Sequence, residues 1–496
     1  MTAAGQSVRP PSALRSGLRL AAGVIFTAVL IVAPLNFGST RPGGAEQIAA
    51  GCTLATLLWA ASLTCPGPRA QVPPVAAGCA ALLTLAALPW LTGLASPTSV
   101  SAFTQTHFSH VAARWPFSIV WCTPANTLAL TLALAASALA LIDLARARAW
   151  ALTFAIALTV TAVVVGALAL AQNFTHATGI YWRNDGRLPG NFCGTFYHHT
   201  AAGAYFNTAW PLAFALTWLA WHQPRPTPYT HGLAILGGLA VITLVAAHGS
   251  HVSRFPQVAA LLVAPFLLRS LKLRGAGRWF LAMGAVVAVA SLIVLAGRAD
   301  DIAARWRVMF APPPVVARQV QPPESAWPAL IRDDLFIPHT SQPGWLGDRG
   351  ESWRTAGRSI AARPLTGHGP ANWMGAASRH TDDPFVRTFF QFLQFTHQDL
   401  LQFAVEWGVP ATLGWWGLLA GAVIAVLRVR HWLSPLHRLL GIAAACALAA
   451  VLLQAQGDFP LQMPAIALNA IVLAALCWTG ATVSQPHLLP VRVILS

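Results

Sequence analysis

The run Ala149-Trp150-Ala151-Leu152-Thr153-Phe154-Ala155-Ile156-Ala157-Leu158-Thr159-Val160-Thr161-Ala162-Val163-Val164-Val165-Gly166-Ala167-Leu168-Ala169-Leu170-Ala171 carries no charge and no proline. It falls in the range of about 17–25 residues that crosses a hydrocarbon core of about 30 Å as a helix. Comparable runs recur at 20–36, 46–65, 74–94, 124–144, 200–221, 232–248, 255–269, 279–297, 408–427, 439–455 and 464–482. A bilayer core offers backbone groups no water, so spans must be helices or a closed barrel, and runs this apolar are not barrel strands. The sequence therefore predicts an all-α, polytopic helical membrane protein with about 12 transmembrane helices.

Composition agrees. Of 496 residues, 56% are hydrophobic and 9% charged, where a soluble chain carries roughly a quarter charged. The net charge of +16 sits on arginines spread through short loops, with no basic run interleaved with aromatics, so no nucleic acid is expected. The seven cysteines form no C-x-x-C pair, which removes the usual zinc and redox motifs. Most lie within spans, as small apolar residues. Cys122 and Cys193 fall in predicted external loops; whether they pair is open.

Orientation follows the arginine-rich loops. Arg9, Arg15 and Arg19, then Arg146 and Arg148, the cluster Arg269/Lys272/Arg274/Arg278, and Arg428/Arg430/Arg438 alternate onto one side. That side is read as the cytoplasm, with both termini there. Segments 95–123, 172–199, 249–254 and 298–398 then face outwards, the last a large external loop between spans 9 and 10. Three parts follow: N-terminal membrane helices 1–171, a core 172–430, and C-terminal membrane helices 431–496.

A connector as long as 298–398 is expected to be functional. Its proline-rich first third (Pro312, Pro313, Pro314, Pro322, Pro323, Pro328) reads as extended. Glu351–Arg363 reads as an amphipathic helix stopped by Pro364, and Leu365–Pro370 as a tight turn. The aromatic-rich run 384–407 reads as interfacial. Within it, Thr396 and Asp399 have capping-box spacing, which starts a helix with His397 in its first turn. The positive helix end would hold that imidazole neutral. Alternatively, an unbroken helix would put Arg387, Gln391, Gln394, Gln398, Gln402 and Glu406 on one polar face. The cap is the preferred reading. His397 itself is either a chemical group or an interfacial ring with an ordinary partner.

Three external arginine clusters complete the set. Arg183 and Arg187, in a Gly/Pro-containing loop, either hold phosphate in guanidinium forks or snorkel to headgroups. Arg254, in a very short turn between two spans, either points into a polar cavity or simply faces out. Arg349 stands at the start of the short amphipathic helix, and taken alone it reads as a solvated loop arginine rather than a binding group. No metal-ligand spacing and no G-x-S-x-G appears, so neither metal nor cofactor is expected. Arginines with one histidine suit an anionic, pyrophosphate-bearing substrate.

These residues resemble the O-antigen ligase and polymerase superfamily of bacterial membrane glycan transferases. His397-Gln398 followed after nine residues by Gly408-Val409-Pro410-Ala411 resembles one family motif, departing at Ala411. Arg349 through Trp353, continuing to Pro364-Leu365-Thr366-Gly367-His368-Gly369, is similar to a second. Ser253-Arg254 resembles a third. Gly190-Asn191-Phe192 through His199-Thr200-Ala201 is similar to a fourth, with His199 where Asn is usual. The resemblance spans roughly 180–430. It implies a GT-C-like glycosyltransferase in the bacterial inner (plasma) membrane, with a periplasmic active site. It would move a glycan, without metal, from undecaprenyl pyrophosphate to lipid A core, another glycan or a protein. His397 would be the catalytic base or acceptor-orienting group. Arg254 and Arg349, with Arg187 and Arg183, would bind pyrophosphate, and Gln398, Glu406, Gly408, Gly367 and His199 would support them. Spans flanking 200–269 and 408–427 would form a groove for the polyprenyl tail. Ligase, Wzy-type polymerase and protein O-oligosaccharyltransferase all remain open. A lipid-linked glycan transporter is the alternative of another class, but the mid-spans are nearly free of charge and no repeat is visible.

Overall fold

The computed structural model describes residues 11–95, 124–183, 193–223, 225, 227–250, 253–270, 347–380 and 395–483. Fourteen α-helices lie among these: α1 Ala13–Leu35, α2 Gly44–Thr64, α3 Pro74–Leu91, α4 Pro124–Ala145, α5 Arg148–Phe174, α6 His199–Asn207, α7 Trp210–Trp221, α8 Pro228–Ser250, α9 Arg254–Ser270, α10 Gly347–Ala362, α11 Trp373–His380, α12 Asp399–Val429, α13 Pro435–Gln454 and α14 Pro464–Val483. Eight of them are long and apolar enough to cross a membrane: α1 to α5, α8, α12 and α13. Among the described residues the only strand-like pairing is an isolated bridge between Cys193 and Phe196. The protein is an all-α polytopic membrane protein. The predicted span at 279–297, the proline-rich segment 312–328, Cys122 and Arg187 lie outside the described residues.

The bundle is organised on α14. This helix is apolar on every side, so it has no face to give to solvent. It is buried from Ala465 to Trp478 among α4, α12 and α13. Outward-facing positions carry large apolar side chains instead, among them Leu54, Leu57, Leu85, Leu236, Leu261 and Leu413. Lipid rather than water is the solvent such a surface requires.

At the end of the bundle where α1 starts, the buried Asp143 carboxylate ties three helices together. It accepts from Arg19 Nη1 (2.6 Å), Trp59 Nε1 (2.9 Å) and the Gln71 amide (3.2 Å). The candidate site lies at the opposite end, where α1 finishes and α12 begins.

Two departures from the sequence reading bear on the site. The run 200–221 is two helices, broken at Thr208–Ala209 ahead of Pro211, which has no N–H to give Asn207 O and clashes with that carbonyl; the side chains of Asn207 and Thr208 make tertiary bonds at the break. Asn207 Nδ2 donates to Pro256 O (3.0 Å), and Asn469 Nδ2 donates to Thr208 Oγ1 (3.0 Å). The run 408–427 belongs to a longer helix, α12, which begins at Asp399 and kinks at Gly408 (φ 81°, ψ 169°) ahead of Pro410. At a kink in mid-helix, backbone groups lose their partners. The turn after α10 supplies replacements. Val409 N donates to Pro364 O (2.7 Å), while His368 N and Gly369 N donate to Val405 O (2.8 Å) and Glu406 O (3.0 Å).

This docking leaves no room for side chains. A Cβ on Gly408 would stand 2.3 Å from Leu365 O, and one on Gly367 would stand 2.5 Å from the Glu406 backbone. Both glycines also have positive φ, which L-residues adopt at a cost. The paired glycines are what let the turn replace the broken helix rungs.

Candidate functional site

His397 is not in the first turn of a helix. Gln398, in extended conformation, is the N-cap of α12, and its side-chain oxygen accepts from Leu401 N at 2.7 Å. Thr396 instead turns its hydroxyl onto the loop, donating to Gln398 O (2.6 Å). Asp399 makes no capping box. Its carboxylate reaches the turn between α13 and α14, accepting from Leu461 N (2.8 Å) and Gln462 Nε2 (2.9 Å). The continuous helix is excluded as well, because residues 395–398 are non-helical. Of its proposed polar face, Arg387, Gln391 and Gln394 lie outside the described residues.

His397 therefore sits just ahead of the helix in the left-handed region, φ 55°. A non-glycine residue there is strained by about 1–3 kcal/mol and persists only where its surroundings over-determine it. They do so from three sides. Ser352 Oγ and Trp353 Nε1, both on α10, donate to Thr396 O at 3.2 Å each. Gln402 accepts from Thr396 N (2.8 Å) and donates to Glu406 Oε1 (2.8 Å), and Glu406 Oε2 accepts from Ala371 N (3.0 Å). Asp399 N donates to Ala455 O (3.0 Å). Gln402 and Glu406 thus hold the backbone that carries the imidazole.

Among the described residues His397 has a carboxylate partner that the sequence reading missed, Asp458. Its buried carboxylate stands 3.8 Å from His397 Nδ1, beyond hydrogen-bond range but close enough for an ion pair once the ring is protonated. Asp458 Oδ2 accepts from Gln454 Nε2 (3.3 Å). Burial pushes the His397 pKa below its usual value; Arg349 pushes the same way and Asp458 opposes both. Neutrality thus comes mainly from desolvation rather than from the helix end. Burial alone would raise the Asp458 pKa, but His397, His198 and Arg349 outweigh it and hold the carboxylate ionised.

Aromatic packing fixes the rest. Phe459 stacks on Phe395 (4.3 Å between centroids), meets His397 edge-on (4.9 Å) and lies 5.4 Å from His198. Phe255, which follows Arg254 at the start of α9, lies beneath the Arg349 guanidinium at 5.1 Å and packs on Gly457. Arg349 and the start of α9 are thereby brought to the His397–Asp458 pair. Of the two adjacent histidines, His198 is the one near Phe459. His199 stacks on His198 (4.7 Å) and opens α6. Arg183 is exposed on a separate part of the same bundle end.

Chemically, the site offers a neutral imidazole backed by a buried carboxylate, with guanidinium charge alongside. Among the described residues no group of three or more His, Cys, Asp or Glu is gathered as for a metal ion. A cleft of about 450 Å³ on the outer face of α2, lined by Glu46, Thr53, Leu54 and Leu57, includes none of the candidate site residues.

No curated protein matches the chain. The model of the family described as O-antigen ligase matches residues 238–416. The match supports the O-antigen ligase superfamily, a family of ligase or glycosyltransferase-type enzymes that implies a lipid bilayer and a lipid-linked glycan. It takes in Arg254, Arg349, Gly367, His397, Glu406 and Gly408. The resemblance near 190–201 lies before it, and Asp458 after it.

Proposed function

We propose that the protein transfers a glycan from undecaprenyl pyrophosphate to an acceptor hydroxyl at the periplasmic face of the bacterial inner membrane, without a metal, at a site in the core 172–430 that Asp458 completes from the C-terminal helices. The observation that carries this reading is His397 paired with buried Asp458 beside Arg349.

With Nδ1 turned to Asp458, Nε2 is the nitrogen free to accept a proton. The acceptor hydroxyl gives its proton to Nε2 as its oxygen attacks the anomeric carbon. The bond from that carbon to the pyrophosphate oxygen breaks, and the electron pair leaves with the lipid pyrophosphate. Arg349 and Arg254 stabilise the developing charge, which guanidinium groups do well at low local dielectric. Asp458 stabilises the imidazolium until its proton passes to water. Exposed Arg183, and Arg187 beyond the described residues, are assigned to glycan or headgroup contacts rather than to this step. Arginines at the opposite end of the bundle (Arg19, Arg146, Arg148) support the periplasmic orientation.

The test uses full-length protein in liposomes with an undecaprenyl-pyrophosphate-linked glycan, candidate acceptors and EDTA. Transfer and release of lipid pyrophosphate are followed for wild type, His397→Ala and Arg254→Ala. Transfer in EDTA that both variants lose while still folded supports the reading, and the acceptor that works separates ligase, polymerase and protein glycosyltransferase. Movement of intact lipid across the bilayer without cleavage would mean a carrier instead.

A further inference from the structure

Among the described residues, those other than glycine with positive φ gather in two places: Ala371 and His397 at the site above, and Phe37, Ser39, His176, Tyr181 and Trp182 nearby. The second group is not needed for the chemistry, yet it is held as firmly as the first. The Tyr181 hydroxyl donates to Leu35 O at the end of α1. Thr195 Oγ1 donates to Pro34 O (2.6 Å). Buried Gln172, with its amide turned to suit its neighbours, accepts from Tyr181 N (2.8 Å) and donates to Gly194 O (3.0 Å).

What this scaffold presents is exposed Trp182 and Arg183 beside half-buried Tyr181, Tyr197 and Arg41, with Phe37 buried beneath them. Trp182 is 48% exposed, and its ring is fixed by a bond from Nε1 to Thr175 Oγ1 (2.8 Å). Phe37 stacks on Tyr197 (5.5 Å) and meets Tyr181 edge-on (5.4 Å). Arg41 lies over Phe37 at 3.4 Å and donates from Nε and Nη2 to the Tyr197 hydroxyl. That leaves Nη1 outside the pair. Arg183 adds an exposed guanidinium to that of half-buried Arg41, and residues 36–43, 175–183 and 193–199 contain no carboxylate. From Tyr197 the chain passes directly to His198, whose ring lies 5.4 Å from Phe459, the ring that packs on His397.

We propose that Trp182, Tyr181, Arg41 and Arg183 form a saccharide subsite for sugar rings beyond the one that reacts, with preference for sugars bearing a carboxylate or phosphate. The inference rests on the glycan-transfer reading. A flat, immobilised indole offers a face to the C–H side of a pyranose, and an aromatic ring with a polar edge binds such amphipathic surfaces at little entropic cost. Guanidinium matches carboxylate and phosphate oxygens in a fork. Strain held in two consecutive aromatic residues aims those rings, as it does the imidazole of His397.

Saturation-transfer NMR on the full chain in phosphatidylcholine nanodiscs tests this, with trigalacturonate and maltotriose as probes. Wild type should transfer saturation to trigalacturonate, more weakly to maltotriose. Trp182→Leu should cut both by about fivefold or more, while Trp182→Phe keeps them. Arg41→Gln should bring trigalacturonate down to the maltotriose level, and His397→Ala should change neither. No transfer to either probe from wild type, or transfer undiminished in Trp182→Leu, overturns the subsite; the latter, with only a lowered Tm, makes Trp182 an interfacial anchor. Binding needs no donor and no turnover, so a subsite that binds in a protein that fails to transfer would overturn the transferase reading alone.

Discussion

Asp458→Asn removes one charge and little else, because Asn keeps the volume and an oxygen for Gln454. The carboxylate stands 3.8 Å from His397 Nδ1. Unit charges about 4 Å apart interact by about 4 kcal/mol at an effective dielectric near 20. The His397 side chain is 25% exposed, and solvent screening at such a site leaves roughly half, ~2 kcal/mol, to stabilise the imidazolium. Since 1.36 kcal/mol is tenfold in rate, kcat should fall about 30-fold. KM should stay within about threefold, because the carboxylate acts on the protonated ring and not on bound substrate. The pH profile gives the sharper signature. Burial holds the His397 pKa down while Asp458 pulls it up. Removing Asp458 lowers it further, so the acid limb, where the free base is lost, should move to lower pH. Single-turnover transfer measured across pH for wild type and variant reads both effects. A kcat within about twofold of wild type, or an acid limb displaced upwards, would refute the pairing of Asp458 with a catalytic imidazole.

Other outcomes follow from the packing. Gly408→Ala and Gly367→Ala should each lose more than about 3 kcal/mol, from positive φ plus backbone overlap, seen as lost monodisperse protein or a depressed Tm. Gly357→Ala on α10, where a Cβ meets nothing within 4 Å, should be neutral or gain up to about 1 kcal/mol by the same measurement. Trp353→Phe removes one of the two donors to Thr396 O; a loss of about 1 kcal/mol should appear as roughly fivefold in kcat with Tm nearly unchanged. Burial holds the His368 pKa below its usual value, with help from His380, Arg363 and Arg379 and against its bond to Ser359 O. The unfolded chain then takes the proton first. Stability is complete above the ordinary histidine range and is lost as pH falls through the lowered value. Wild-type Tm should therefore drop more than that of His368→Gln between about pH 7.5 and about pH 5.

The membrane architecture was legible because bilayer thickness imposes one length on every span, and runs such as 149–171 satisfy it alone. Local chemistry was legible where the answer is local: the amphipathic helix before Pro364 was expected and found, beginning a few residues earlier at Gly347. The failures are tertiary. Thr396 and Asp399 fit a capping box, but Asp399 has better partners in Leu461 and Gln462, and no local pattern reveals a competitor so far along the chain. The break in 200–221 had a local signal in Pro211, which cannot supply a helix rung; that Asn207 and Thr208 would be tied to Pro256 and Asn469 there had none. Asp458 left only the trace of a lone carboxylate in the short turn between the last two helices. Its pairing with His397 is a property of how α12 meets α13. Gly367 and Gly408 were legible as motif letters, but that each exists to admit the other required the fold.

The bonds from Asp399 to Leu461 and Gln462 span 62 residues of sequence or more, and this sets a schedule for biogenesis. When α12 leaves the ribosome, His397 has neither its carboxylate nor the turn that buttresses its loop. Both arrive only after α13 has been inserted and the chain has doubled back towards α14. On the proposed mechanism, a nascent chain carries an incomplete centre until the turn between α13 and α14 has formed. On that reading, the α13–α14 hairpin is the step that completes the site, and by then the earlier spans are already committed to the bilayer.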